Sequence, residues 1–269
     1  MLITRRQRRP RRAMSIRGGS LSGGVPEVSA PTAWLDPSLR IFQDAAGTVP
    51  ATSNSDPVQR WVSSGGAIFT DAVDPGDLRL ALDSGSLVVQ NDPALGFGTT
   101  FTGSATSPGH QTKYEFAFWF KTEALFGGFT PTFQVGGTSV QVSDTAGSMS
   151  VGGTFAYHVP PATNGTRTWT QTAIGVYDVW YLIRLTVDLD TAYAIRVYNE
   201  SGTLLQTIST SSAVPTGGRI RMDAGSLGYQ LCNSPDGSLE NRNGYAYQSI
   251  GSLWTADQWA AIIAAGYAM

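Results

Sequence analysis

The chain is predicted to be an all-β sandwich of antiparallel strands with one short C-terminal helix and a flexible N-terminal arm. Three observations predict this. Charged residues make up 14% of the 269 residues while glycine reaches 31, and Ser, Thr and Val lie between short apolar runs, the balance of sheets joined by turns. Apolar residues alternate with period two in several stretches, as a half-buried strand requires. A helical pattern occurs only at the C-terminal end.

The chain divides into an arm over residues 1–17, a Gly/Ser/Pro linker over 18–31 and one domain over 32–269. The arm holds Arg5, Arg6, Arg8, Arg9, Arg11, Arg12 and Arg17 and no acid, whereas the remainder holds 11 basic and 20 acidic residues, a formal −9. So little apolar surface cannot offset the entropy of ordering, and the arm is expected to be disordered alone. Guanidinium groups fork onto carboxylates or phosphates and stack on rings. An acidic protein surface or a nucleic acid would therefore order the arm, and the competing reading is a solvated tail. The basic start is not followed by the apolar run of a secretion signal, and an organellar transit peptide is a minor alternative. No run is long enough to cross a bilayer as a helix, so a soluble protein is expected. The single Cys232 rules out an intrachain disulfide framework and is expected to be a buried thiol.

Asp36-Pro37, Asp56-Pro57, Asp74-Pro75-Gly76 and Asp92-Pro93 punctuate the first part of the domain, leaving room for short strands such as 86–90. From Lys113 to Lys121, Tyr114, Phe116, Phe118 and Phe120 share one face, the expected core face, opposite Glu115, Ala117 and Trp119. The segment from Phe129 to Val159 alternates glycine pairs with short strands, and the glycine pairs at 127–128, 136–137 and 152–153 read as turns. Tyr181, Ile183, Leu185, Val187 and Leu189 alternate, a turn follows at Asp190-Thr191, and Tyr193, Ile195 and Val197 resume, which is a hairpin. Strands over 203–209 and 219–223, the latter with Ile220 and Met222 inward, extend it into a meander. Thr255 and Gln258 form a capping box, and Trp259, Ile262 and Ile263 make the stripe of a helix that stops at Gly266.

The stretches YEFAFWFKT (114–122), WYLIRLTVDLDTAYAIRVYNESGTLLQT (180–207) and IGSLWTADQWAAIIAAG (250–266) resemble the concanavalin-A-like lectin/glucanase family in its laminin-G-like branch. The resemblance implies a two-sheet antiparallel jelly roll. WLDPSLRIFQDAAGTVPATSNSDPVQRW (34–61) is similar to the opening of jelly-roll proteins from tailed bacteriophages, which implies a virion component; such openings also occur in cellular surface proteins.

Hydrolytic relatives in that superfamily carry Glu-x-Asp-x-x-Glu on one strand, which aims two glutamates into a cleft. The motif is absent here, and Glu115 and Glu123 read as solvated strand ends, so no enzyme activity is expected. Asp188 and Asp190 could share a Ca²⁺ with backbone carbonyls, as laminin-G-like domains often do, against the preferred reading of two solvated aspartates; no other cofactor is expected. His110 and His158, far apart in sequence, suggest no triad or zinc site and read as loop or strand-edge residues. Trp169 and Tyr157 are candidates for sugar stacking, although no glycan-binding residue is assigned.

The leading expectation is a non-enzymatic virion structural protein, a capsid decoration or a tail or fibre component. It would be anchored through the arm to major capsid or tail proteins and be homo-oligomeric as a symmetric ring or trimer. The alternatives are a glycan-binding adhesion module of a phage or bacterial surface, recognising a host glycan, and a coat protein whose arm contacts nucleic acid. Contact with a membrane is not expected.

Overall fold

A computed structural model describes residues 34–71, 78–91, 101–105, 109–122, 132–145, 148–161, 163–210, 214–222, 227–231 and 241–267. All seven arm arginines, the linker, Glu123, Gly127-Gly128 and Cys232 lie outside the described residues. In chain order the strands are β1 (Ile41–Phe42), β2 (Arg60–Val62), β3 (Ile68–Asp71), β4 (Leu78–Asp83), β5 (Ser86–Asn91), β6 (Phe101–Ala105), β7 (Lys113–Thr122), β8 (Thr132–Val135) and β9 (Thr138–Thr145). They continue as β10 (Ser148–Val159), β11 (Thr163–Gly175), β12 (Tyr181–Asp188), β13 (Ala192–Asn199), β14 (Leu204–Ser209), β15 (Arg219–Ile220), β16 (Leu227–Leu231) and β17 (Asn241–Ile250), followed by helix α1 (Ala256–Ala265).

These strands form two antiparallel sheets packed as a sandwich. One has ten strands in the order β1-β2-β3-β6-β16-β8-β9-β10-β11 with β15 beside β10, and the other has seven in the order β14-β13-β12-β7-β17-β5-β4. The principal core lies between them. Phe118 of the smaller sheet stacks on Phe133 of the larger at 3.7 Å between centroids, and Phe120 meets the same ring edge-on. Burying one such side chain fully is worth about 1.5–3 kcal/mol.

β7 departs from the one-faced strand expected of it. Tyr114, Phe116, Phe118 and Phe120 enter the inter-sheet core, but Ala117 and Trp119 are buried too, in a second cluster on the outer side of the smaller sheet. Helix α1 covers that side. Thr255 Oγ1 accepts from Gln258 N and Gln258 Oε1 accepts from Thr255 N, the expected capping box, and Trp259, Ile262 and Ile263 pack on the cluster of Trp119, Trp180, Leu182 and Tyr198. Beyond the helix, Tyr267 stacks on Trp180 at 4.4 Å.

The expected hairpin is β12–β13, and β14 continues it as a meander. β15 does not: it pairs with β10 in the opposite sheet, because the turn over 215–218 carries the chain across the end of the sandwich, where Ile220 and Met222 fill the core from the other side. Gly136-Gly137 is a turn as expected, but Gly152-Gly153 lies inside β10. A Cβ on Gly153 would collide with the Ser139 carbonyl, and the register against β11 shifts at this point. Glycine here permits close strand approach beside a bulge.

The opening stretch is tied into the sandwich. Ala246 O of β17 accepts from Trp34 N at 2.7 Å and Leu35 N at 3.1 Å, Trp34 packs edge-on against Phe69, and Trp61 Nε1 donates to Asp36 O. Asp44 and Asp56 accept from the backbone of their own loops. Hydrogen bonds from the Thr48 side chain and the Val49 amide hold the Asp44 pKa below its ordinary value.

Candidate functional site

The outer face of the ten-stranded sheet is built by alternation along β10. Met149, Val151, Phe155 and Tyr157 point into the core, which sends Ser150, Gly152, Thr154, Ala156 and His158 outward. Residues paired across strands share a face, and the outward partners are Ser143, Gln141 and Ser139 on β9 and Thr168, Thr166 and Asn164 on β11. None of these residues is Asp, Glu, Lys or Arg. Ser139 Oγ and Thr154 Oγ1 are 3.0 Å apart, as are Ser143 Oγ and Ser150 Oγ.

One row of this face crosses the sheet. The register runs Thr168–Thr154–Ser139–Gln134, then Gln230, Thr102, Thr70 and Arg60 on β16, β6, β3 and β2. Of the positions whose side chains are described, Thr168, Thr154, Ser139, Gln134 and Thr70 are Thr, Ser or Gln, and Arg60 ends the row. A hydroxyl supplies one donor and two acceptor sites and an amide two of each, so the described part of the row offers closely spaced partners of both kinds. Beside Thr154, Gly152 is buried with the Gln171 side chain close to it, and Ala156 packs against Gly137. The signal was present in the sequence as Ser139-x-Gln141-x-Ser143 and Thr166-x-Thr168-x-Thr170, alternations of polar residues that an apolar criterion passes over.

At one end of the sandwich a cleft of about 290 Å³ is lined by Thr112, Leu189, Asp190, the 214–218 turn and Arg219. Its walls are hydrogen-bonded. Leu189 N donates to Thr112 O, Val214 N to Tyr193 Oη, and Gly218 N to Pro215 O, closing a turn that places Gly217 at φ +81°, a conformation suited to glycine. Arg219 lies opposite His158 in the register of β15 and β10, so it borders both cleft and face. The tertiary fold also brings His110 beside His158, with ring centroids 5.0 Å apart. Met222 N donates to His110 Nδ1, and His158 Nδ1 lies 2.9 Å from Asn164 Oδ1.

Other candidate residues land elsewhere. Asp188 is buried, against the expectation of a solvated carboxylate: it faces Lys113 Nζ at 3.5 Å and accepts from Asp190 N, so it closes its own turn. Asp190 is exposed on the cleft. Among the described residues no group of three or more His, Cys, Asp or Glu could hold a metal ion, and this pair does not fit Ca²⁺, because Asp188 is already committed to Lys113 and the turn. Trp169 and Tyr157 are buried in the core rather than open to a sugar. A second hollow, of about 360 Å³, adjoins Trp180, Tyr181, Asn199, Glu200 and Leu205, but both rings are buried.

Glu115 is not a solvated strand end. It is fully buried beneath α1, where it accepts from Arg184 Nε and Nη2, Thr186 Oγ1 and Trp254 N. Arg184 lies 4.2 Å from the ring centroid of Trp259. These contacts fix the helix and leave no carboxylate facing a cleft there.

The family model described as SO2946-like, C-terminal domain, matches residues 85–233, over half of the chain. Solved structures of similar architecture include the binding domain of Paraclostridial Mosquitocidal Protein 1 (TM-score 0.50, 9% identity, covering 76% of this chain and 48% of that one). The botulinum neurotoxin serotype D binding domain is similar (TM-score 0.50, 8% identity, 86% and 51%), as is the type G receptor binding domain (TM-score 0.46, 13% identity, 79% and 51%). At these identities the likeness is one of fold, and the chain spans about half the length of each toxin domain. None of the curated proteins compared matches the sequence.

Proposed function

The chain belongs to the SO2946-like C-terminal domain family, and we propose that it is a non-catalytic, lectin-like module that binds a glycan on the outer face of its larger sheet. The observation that carries this reading is the uncharged Ser/Thr/Gln row through Gln134, Ser139, Thr154 and Thr168. Sugars present dense hydroxyls, each both donor and acceptor, and a surface with the same chemistry exchanges water for ligand without desolvating a charge. The two toxin binding domains of similar architecture at a TM-score of 0.50 accord with a binding role.

Binding of a neutral and acidic oligosaccharide panel, measured by calorimetry with native protein and a Ser139→Glu/Thr154→Arg double variant, tests this. Saturable binding that the double variant loses while keeping its melting temperature supports the reading. Absence of binding to every glycan sinks it.

The charge asymmetry favours a second reading that is compatible with the first. Seven arginines in an acid-free segment ahead of a body of formal charge −9 suit a strap onto an acidic assembly, as in a homo-oligomeric component displayed on a virion. Deletion of residues 1–17 would abolish co-sedimentation with particles; unchanged attachment would refute anchoring.

A further inference from the structure

We infer that the end cleft is a subsite for a carboxylate-bearing sugar, with Arg219 as the carboxylate receptor. This rests on the glycan-binding reading and adds a ligand class that the neutral face does not supply. Arg219 is exposed at the cleft and, among the described residues, has no carboxylate partner. Its Nη1 donates to Gly218 O at 2.9 Å and Gly217 O at 3.3 Å. The guanidinium is thereby held by the turn that forms the cleft wall, and Nε and Nη2, the edge that takes a carboxylate side-on, have no partner among the described residues. An arginine fixed in this way loses less freedom when it forms the bidentate pair.

The other lining groups fit the rest of such a ligand. Thr112 and Thr216 are hydroxyl residues, Asp190 can accept from sugar hydroxyls, and Leu189, Val214 and Pro215 offer apolar surface of the kind that packs on the carbon face of a ring. The volume of about 290 Å³ lies at the lower end of small-molecule sites, about 300–1,000 Å³, suited to a terminal sugar rather than a long chain. Asp190 disfavours a plain polyanion: a second negative group would meet it. A monoanion rich in hydroxyls satisfies both residues.

The test uses the full chain and four probes: glucuronic acid, N-acetylneuraminic acid, glucose and sodium acetate. Native protein should bind one or both acid sugars saturably, and more weakly as salt rises. Arg219→Gln should weaken this at least tenfold with an unchanged melting temperature, and Arg219→Lys, which keeps the charge but not the fork, should also weaken it. Equal binding by native protein and Arg219→Gln overturns the subsite, as does acetate binding as tightly as the acid sugars. Binding of neutral oligosaccharides without acid sugars overturns the subsite and leaves the neutral face standing, whereas failure of the whole panel overturns both.

Discussion

The two outer faces of the sandwich come from the same strand geometry and have opposite fates. On the seven-stranded sheet, Trp119, Trp180, Leu182 and Tyr198 face outward and would form a large apolar patch, but α1 lies over them. On the ten-stranded sheet the corresponding positions of β9–β11 are Ser, Thr, Gln, Asn, His, Gly and Ala, and no helix among the described residues covers them. The first face is a second core, and the second is open at Thr166 and Thr168 and half-buried at Ser139, Gln141 and Thr154, with Ser150 fully buried. Stability is therefore expected to depend on residues of the sealed face and ligand binding on residues of the open one.

The strongest way to break that comparison is at Glu115. Glu115→Ala removes the acceptor for Arg184, Thr186 and Trp254 N beneath the helix, leaving a mostly buried guanidinium unpaired. A loss of about 3–5 kcal/mol is expected, read by urea denaturation, and a loss below 1 kcal/mol would show that the helix does not depend on this carboxylate. Ile262, the buried residue of α1, comes next: Ile262→Ala should cost about 2–4 kcal/mol and raise binding of a hydrophobic dye as the aromatic face opens.

A smaller effect is expected at the edge of the sealed sheet. Asp83 accepts from Arg242 at 2.6 Å and Lys121 at 3.3 Å. Burial pushes its pKa up, but the Arg242 hydrogen bond and the Lys121 charge outweigh this, so the net shift is downward. A carboxylate with a lowered folded pKa stabilises above its unfolded value, and the contribution disappears as pH falls through the folded one. Asp83→Asn should cost about 1–2 kcal/mol at pH 7 and flatten the fall in stability below about pH 4; a variant with the same acid profile as native protein would remove Asp83 from that account.

The smallest stability change belongs to the open face. Thr154→Ala and Thr168→Ala should stay within about 0.5 kcal/mol while weakening glycan binding. A large destabilisation there would erase the contrast between the faces.

Much of the fold was legible. The alternation of 181–189 and 193–197 gave the hairpin, and Thr255 with Gln258 gave the helix start, because both depend on residues a few positions apart. Less of the site was legible. His110 and His158 are adjacent only because β15 crosses to β10 and brings Met222, which donates to His110, to that end of the sandwich. Glu115 read as solvated because its partners, Trp254 N and an Arg184 that packs against Trp259, come from far along the chain.

By itself the sequence determined that the strands alternate, that the end of the chain is a capped helix and that the front is basic over an acidic body, since these follow from neighbouring side chains and from counting charge. Only the tertiary structure decided which face of each sheet meets water. Alternation assigns residues to two sides of a strand, but what packs against either side is chosen by segments distant in the chain, and here the helix was placed over aromatics while the hydroxyl rows were left open.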